Sequence, residues 1–156
     1  GIADGKGILS ALASGASGVS IGTRFIASTE ATVSDEYKQS IVEAGMGDIM
    51  MTERLSGTPC AVIATPYAKK IGAKQNFFEK WLSNNKTTKK YFKMLVQYRG
   101  LKKLEAAVQP GNYNNLWSAG QSVALIHDIK PCSEIIRILE EELINAENEL
   151  RQSFNA

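Results

Sequence analysis

The first half of the chain alternates between helical and strand-like patterns of hydrophobic positions. Small and apolar residues over 8–13 suit a short helix that ends in a serine and a glycine. The segment 18–22 is short, partly β-branched and closed by glycine, which is typical of a buried strand. Ser34 is a good N-cap, and the apolar spacing after it predicts a helix over 35–44. Residues 46–52 indicate a second short strand.

The second half of the chain is predicted to be mostly helical. Aromatic and apolar residues recur at helical spacing through 77–98, which predicts two or three helices. Pro131 opens a long acidic helix. The apolar residues expected on the buried side of that helix are Ile135, Ile136, Leu139, Leu143 and Leu150.

Strands are scarce in this pattern. The segment 18–22 is the one convincing strand of the buried parallel type, and a single strand leaves its backbone ladder unpaired. We therefore expect these 156 residues to be the C-terminal part of a larger α/β unit, or to lack a segment that precedes them.

The formal net charge of +2 conceals a strong segregation of charge. Residues 69–103 hold eleven of the 18 basic residues and one acidic residue, so this stretch carries +10 and the remainder carries −8. Such a basic stretch is either a solvated helical face or a surface that attracts an acidic macromolecule.

The overall composition excludes several classes of protein. Hydrophobic residues at 44% and charged residues at 22% exclude full-length disorder and a fibrous protein. No apolar run reaches the roughly 18 residues of a membrane-spanning helix, and the start of the sequence does not resemble a signal peptide. Cys60 and Cys132 lie far apart and His127 is the single histidine, so no metal site is expected. We expect a cytoplasmic protein without membrane contact.

Glycine marks two junctions between a loop and a helix. Gly22 and Thr23 follow the predicted strand, and Gly1 and Gly5 precede the first helix. Backbone amides at such junctions bind phosphate, commonly after the last strands of a (β/α)₈ barrel. Simple turn geometry explains the same glycines.

Two charged residues near these junctions each have two interpretations. Asp4 either caps the first helix or touches a ligand, and the cap is favoured. Arg24 either neutralises a phosphate or joins an ion pair, and the ion pair is favoured.

Several segments closely resemble one enzyme family. They are GIADGKG at 1–7, ALASGASGV at 11–19, IGTRF at 21–25, the residues TER and SG within 52–57, and SAGQS at 118–122. They are similar to the last barrel strands and later segments of the flavin-dependent nitronate monooxygenases, formerly 2-nitropropane dioxygenases. That family also includes the flavin-dependent enoyl-acyl-carrier-protein reductases.

The resemblance implies an α/β fold, namely the C-terminal part of a TIM (β/α)₈ barrel with a mostly helical extension. Residues 1–66 would form the last βα units with the phosphate-binding loops. Residues 67–110 would form a basic helical insert, which the resemblance explains least. Residues 111–156 would close the barrel and add the C-terminal helix.

The resemblance also implies an FMN cofactor. Its phosphate would lie on the backbone amides of Gly22 and Thr23 and on Gly1 of the preceding loop. The turn formed by Ala119, Gly120 and Gln121 would close near the cofactor. The alternative for this turn is a close helix contact in which Gln121 caps backbone groups, and the alternative for Thr23 is a structural hydroxyl.

The resemblance supplies no catalytic residue within this sequence. The family's catalytic histidine belongs to a segment that precedes these residues, and His127 does not match it. His127 follows an apolar run, which indicates a histidine at the surface or at a helix end. We therefore assign no catalytic acid or base and no metal ligand.

These observations predict an FMN-dependent oxidoreductase of the nitronate monooxygenase family that acts on a small nitronate. The first alternative is a flavin-dependent reductase or dehydrogenase of fatty acid synthesis, which acts on acyl chains carried by acyl carrier protein. The second is a non-catalytic fragment that binds an acidic protein.

The basic segment bears on the choice between these functions. An acidic acyl carrier protein would bind at Lys86, Lys89, Lys90 and Lys93. Nucleic acid is disfavoured, because the interleaved aromatic residues have the spacing of an inward-facing helix side. A homodimer is left open.

Overall fold

The computed structural model describes residues 1–53, 59–72, 94, 98, 102 and 116–155. The elements whose bounds it describes are five α-helices, two short 3₁₀ turns and two strands, and residues 94, 98 and 102 are also helical. The helices are α1 (Gly5–Ala13), α2 (Thr23–Ile26), α3 (Asp35–Glu43), α4 (Pro66–Ile71) and α5 (Cys132–Phe154). The strands are β1 (Ile49–Thr52) and β2 (Cys60–Ile63), and the 3₁₀ turns are Met46–Asp48 and Gln121–Leu125.

The long helix α5 confirms the pattern read from the sequence and packs along α1. Its buried side chains are Ile135, Leu139 and Ala146. Two of the residues expected on the buried side are instead largely exposed: Ile136 is 48% exposed and Leu150 is 42% exposed. The buried stripe is therefore narrower than predicted among the described residues.

The strands β1 and β2 pair as an antiparallel hairpin, with Ile49 opposite Ile63 and Thr52 opposite Cys60. The backbone of 117–119 runs beside β2, because the Ile63 amide donates to the Trp117 carbonyl at 2.8 Å. The first strand was expected within 46–52 and is confirmed over its second half. The second strand was not predicted.

The strand predicted over 18–22 is not formed in the part of the chain that the structure describes. These residues are irregular, and the backbone of 18–21 makes no hydrogen bond to any described residue, while the Gly22 carbonyl accepts only from the Phe25 and Ile26 amides of α2. A strand is defined by its ladder, so the β-like side chains of this segment are insufficient without a neighbouring strand. The one sheet in the described part of the chain is the antiparallel hairpin.

The main core lies between α3, the hairpin and the segment 116–126. Tyr37 and Trp117 stack with ring centroids 5.5 Å apart and planes 6° from parallel. The Tyr37 hydroxyl donates to the Ser118 carbonyl. Helix α3 thus fixes the start of the segment that leads to Ala119 and Gly120.

No helix that the structure describes combines the length and apolar character needed to cross a membrane.

Candidate cofactor-binding site

The amino end of α1 is filled by the protein's own carboxylates. The Asp4 side chain caps the helix by accepting from the Gly7 amide at 2.8 Å, as the sequence predicted. Glu142 of α5 accepts from the Gly5 amide at 2.9 Å. These two carboxylates satisfy amides that a phosphate would otherwise need, so this junction is not an anion site.

Gly5 is required by packing. A Cβ built on it would lie 2.2 Å from the Leu143 nitrogen, which is backbone of α5. The two helices approach so closely that only glycine fits. The interpretation of Gly5 as part of a phosphate loop is therefore wrong, and its role is structural.

The amino end of α2 is open by contrast. Gly22 is the N-cap residue and carries no side chain that could cap the helix. A Cβ built on Gly22 would meet nothing within 4 Å. The amides of Gly22 and Thr23 donate to no acceptor among the described residues. This junction therefore offers unpaired donors at an accessible surface.

Of the other predicted positions, Gly120 contacts this open junction directly, and Gly1 lies near the same turn through Ser122. The Gly120 amide donates to the Thr23 hydroxyl at 3.2 Å, so the 119–121 turn is tied to α2. A Cβ on Gly120 would lie 3.7 Å from both Thr23 Oγ1 and Ser122 Oγ. A Cβ on Gly1 would lie 3.0 Å from the same Ser122 hydroxyl. Gly1 and Gly120 thus both lie beside Ser122, and Thr23 lies beside Gly120.

Ser122 was not singled out from the sequence. It is 7% exposed, and its hydroxyl lies close to both Gly1 and Gly120. The signal that could have indicated it is its place two residues after Gly120, at the start of the 3₁₀ turn Gln121–Leu125.

The remaining residues of the predicted turn differ in their surroundings. Ala119 is 3% exposed, and its amide donates to the Ala61 carbonyl at 3.3 Å. Gln121 is exposed, and its side chain makes no hydrogen bond to any residue the structure describes. Ala119 thus anchors the turn on the hairpin, whereas the capping role considered for Gln121 has no support.

Arg24 forms the ion pair that the sequence favoured. Arg24 is 7% exposed, and its guanidinium pairs with the Asp128 carboxylate. The same side chain donates to the Asp128 carbonyl at 3.0 Å and to the Ala27 carbonyl at 3.4 Å. Arg24 is therefore committed within the protein and leaves the binding of an anion near Gly22 to backbone amides.

Other titratable groups lie at the edges of this region. His127 is exposed, as predicted. The Cys132 amide of α5 donates to Glu30, and this bond chiefly lowers the pKa of that carboxyl. Burial raises the pKa of Tyr37 to about 12. Within the described ranges no group of acidic, histidine and cysteine side chains is arranged to hold a metal ion.

The comparison with protein families decides which enzymes this chain is related to. The model of the nitronate monooxygenases matches residues 1–142. The chain belongs to the nitronate monooxygenase family. This family consists of flavin-dependent oxidoreductases. The resemblance found in the glycine-rich segments is therefore confirmed.

Individual members of the nitronate monooxygenase family and solved structures agree with this assignment. A nitronate monooxygenase of Paraburkholderia phytofirmans is 30% identical over 99% of this chain and 39% of its own length. A (3aS,4S,5R,7aS)-5-hydroxy-7a-methyl-1-oxo-octahydro-1H-indene-4-carboxyl-CoA dehydrogenase of Rhodococcus jostii is 26% identical over 87% of this chain and 46% of its own length. FabK of Thermotoga maritima is 33% identical, with a TM-score of 0.74, over 97% of this chain and 45% of its own. The chain thus spans less than half of each of these relatives.

The residues of the open junction fit the phosphate of a flavin nucleotide. Gly22 leaves free the space that a Cβ would occupy, and unpaired amides border that space. Phosphate groups favour this combination of close backbone approach and amide donors.

The lysines predicted to bind an acyl carrier protein, Lys86, Lys89, Lys90 and Lys93, lie outside the described residues.

Proposed function

We propose that this chain supplies the phosphate-binding part of an FMN-dependent oxidoreductase that oxidises a small nitronate. Membership of the nitronate monooxygenase family supports the reaction class. The open junction at Gly22 and Thr23 is the observation that carries the cofactor assignment, because its amides have no acceptor among the described residues.

Each proposed cofactor residue contributes in a different way. The Gly22 and Thr23 amides donate to the FMN phosphate, and the missing side chain of Gly22 permits close approach. Gly1 and Gly120 have no side chains, so they leave space for the cofactor beside Ser122. Ala119 holds the turn on the hairpin, and Gln121 lies exposed at its tip. A flavin held there would supply the redox chemistry, as the acceptor of an electron pair.

We further propose that the chain is the C-terminal part of a (β/α)₈ barrel, with the last βα units in 1–66, the basic insert in 67–110 and the barrel-closing segment in 111–156. The segment 18–21 supports this, because its backbone has no partner among the described residues. An apolar groove of about 260 Å³ also opens beside it, lined by Ile8, Val19, Ile21, Phe25, Ile136, Leu139, Glu140 and Leu143. Neighbouring strands would cover both features.

Amide hydrogen exchange tests the barrel proposal. In a completed barrel the amides of Val19 and Ile21 are paired and exchange slowly in the full-length protein. Fast exchange at both positions, with slow exchange in β2 as the internal reference, would contradict it.

We propose that the histidine which takes the substrate proton comes from a segment other than residues 1–156. His127 is exposed and has no hydrogen bond to any described residue. Replacing it, as in His127→Ala, should leave kcat/KM for a nitronate within about twofold. A loss of several orders of magnitude would make His127 the base.

The absorbance spectrum of the purified full-length protein is the primary test of the proposed function. An oxidised flavin gives a visible band, and the released cofactor should have the mass of FMN. A protein without this band, which also fails to bind added FMN, would refute the oxidoreductase assignment. The remaining hypothesis would then be a non-catalytic fragment that binds an acidic protein.

Similarity to FabK favours one alternative function, a reductase or dehydrogenase for acyl chains on acyl carrier protein. We propose Lys86, Lys89, Lys90 and Lys93 as the carrier surface of that alternative. Charge reversal at Lys89, Lys90 and Lys93 should then raise KM for a carrier-linked substrate and spare a small nitronate. Equal effects on both substrates would exclude it. Either enzyme is expected in the cytoplasm.

A further inference from the structure

Helix α2 is too short to hold its own conformation. It has four residues, so it closes a single turn, and an isolated turn is unfavourable because nucleation costs more entropy than one hydrogen bond returns. Something outside the helix must therefore fix the orientation of the Gly22 and Thr23 amides.

Arg24 is the side chain placed to do so. It donates to the Ala27 carbonyl just past the end of its own helix, where a cation also suits the helix dipole. It then reaches Asp128, 104 positions along the chain, through both the carboxylate and the carbonyl. The Arg24 side chain is 9% exposed and thus shielded from solvent, which strengthens its hydrogen bonds.

Helix α2 is thus anchored by two separate contacts. The Thr23 hydroxyl accepts from the Gly120 amide at 3.2 Å. Arg24 donates to Asp128 and, past the end of the helix, to the Ala27 carbonyl. Continuing from Arg24, the Thr29 amide donates to the Lys130 carbonyl at 3.1 Å, so the chain after α2 stays aligned with that segment.

We propose that Arg24 is a positioning residue for the FMN phosphate, acting through the Gly22 and Thr23 amides without touching the cofactor. This rests on the proposed function. Lysine cannot replace it, because a single ammonium lacks the planar fork that reaches Asp128 and Ala27 together. Removing Arg24 should therefore weaken interactions with the phosphate selectively.

The test compares the affinities of FMN and riboflavin, which differ by the phosphate alone. Dissociation constants are measured by flavin fluorescence in the full-length protein after cofactor removal. In Arg24→Gln and Arg24→Lys the preference for FMN should fall by about tenfold or more, while riboflavin affinity changes little. A general loosening of the fold would weaken both flavins alike.

The chain offers a matched control in Lys130. Its ammonium pairs with the other carboxylate oxygen of Asp128 at 3.6 Å but is 31% exposed and also pairs with Glu134. Lys130→Gln should keep the FMN preference within about twofold. If Arg24→Gln does not fold, the FMN preference is measured in Asp128→Asn instead. This change removes the carboxylate that pairs with Arg24 but keeps the backbone carbonyl of residue 128 as an acceptor.

The outcomes separate the two proposals. A wild-type protein that binds FMN no better than riboflavin refutes the phosphate site, and with it this inference. A wild-type preference for FMN that survives in both Arg24 variants, or in Asp128→Asn when those do not fold, overturns the role of Arg24 alone. Loss of the preference in the Arg24 variants but not in Lys130→Gln supports it.

Discussion

The amino ends of α1 and α2 look alike in the sequence and differ in the structure. Both are loop-to-helix junctions with glycine. At α1 the glycine, Gly5, is pressed against the backbone of α5, and its amide donates to Glu142. At α2 the glycine, Gly22, faces open space and its amide has no acceptor among the described residues.

The difference shows that glycine serves two separate needs at such junctions. One is close approach of two backbones, in which the protein supplies both the contact and the counter-charge. The other is close approach of a ligand, in which the protein leaves space and donors unfilled. Only the surroundings of the glycine distinguish them, and substitutions at both sites should separate the two roles.

Gly5→Ala should have the largest effect on stability. Its Cβ would lie 2.2 Å from the Leu143 nitrogen, so α1 and α5 must move apart. We expect a loss of about 2–3 kcal/mol in the free energy of unfolding, although alanine is the better helix former by about 1 kcal/mol. Urea unfolding measures it. An unchanged or raised midpoint would show that the helices are not in this close contact.

Gly22→Ala should show the opposite behaviour. Its backbone lies in the right-handed helical region, and a Cβ meets nothing, so stability should change by less than about 0.5 kcal/mol. The new methyl group should crowd the phosphate and weaken FMN binding by about tenfold, measured by fluorescence titration. Gly47→Ala, another exposed glycine with nothing within 4 Å, is the control and should leave FMN affinity unchanged.

Glu142→Gln should have a smaller effect. The amide oxygen can still accept from Gly5, so the change removes the charge at the amino end of α1 and keeps the hydrogen bond. We expect a loss of about 0.5–1 kcal/mol by urea unfolding at low salt. Glu149→Gln removes an exposed pair with Lys6 and should cost less. Equal losses of unfolding free energy in the two variants would mean that the charge of Glu142 beside Gly5 stabilises the fold no more than an exposed ion pair does.

Glu30→Gln should have the smallest effect and should depend on pH. The Cys132 amide lowers the pKa of Glu30 below its ordinary 4.5, so the ionised form stabilises the fold. Its contribution is complete above pH 4.5 and disappears as pH falls through the lowered pKa. The wild type should therefore have the higher Tm near neutral pH, and the gap should close in acid. A constant gap would contradict this linkage.

Local signals in the sequence predicted local structure well. The caps at Asp4 and Ser34 are confirmed, because each is decided within three residues of the helix start. The long helix α5 is confirmed because its apolar spacing runs for many turns. The ion pair of Arg24 was favoured over a phosphate contact, but its partner was not identified, since Asp128 lies 104 positions away.

Features that depend on distant contacts could not be predicted. Nothing in the glycine-rich start indicates that Gly5 meets α5 whereas Gly1 lies by Ser122. The strand β2 was missed because pairing with β1 defines it. The segment 18–22 was assigned as a strand because its composition is right, but composition does not supply a neighbour.

The contact between Gly5 and Glu142 also has a consequence for folding kinetics. It joins residues 137 positions apart, so forming it early would close a very long loop before other contacts compensate the entropy lost. The pairing of α1 with α5 is therefore expected to form after the folding barrier. Weakening it should accelerate unfolding and leave the refolding rate nearly unchanged.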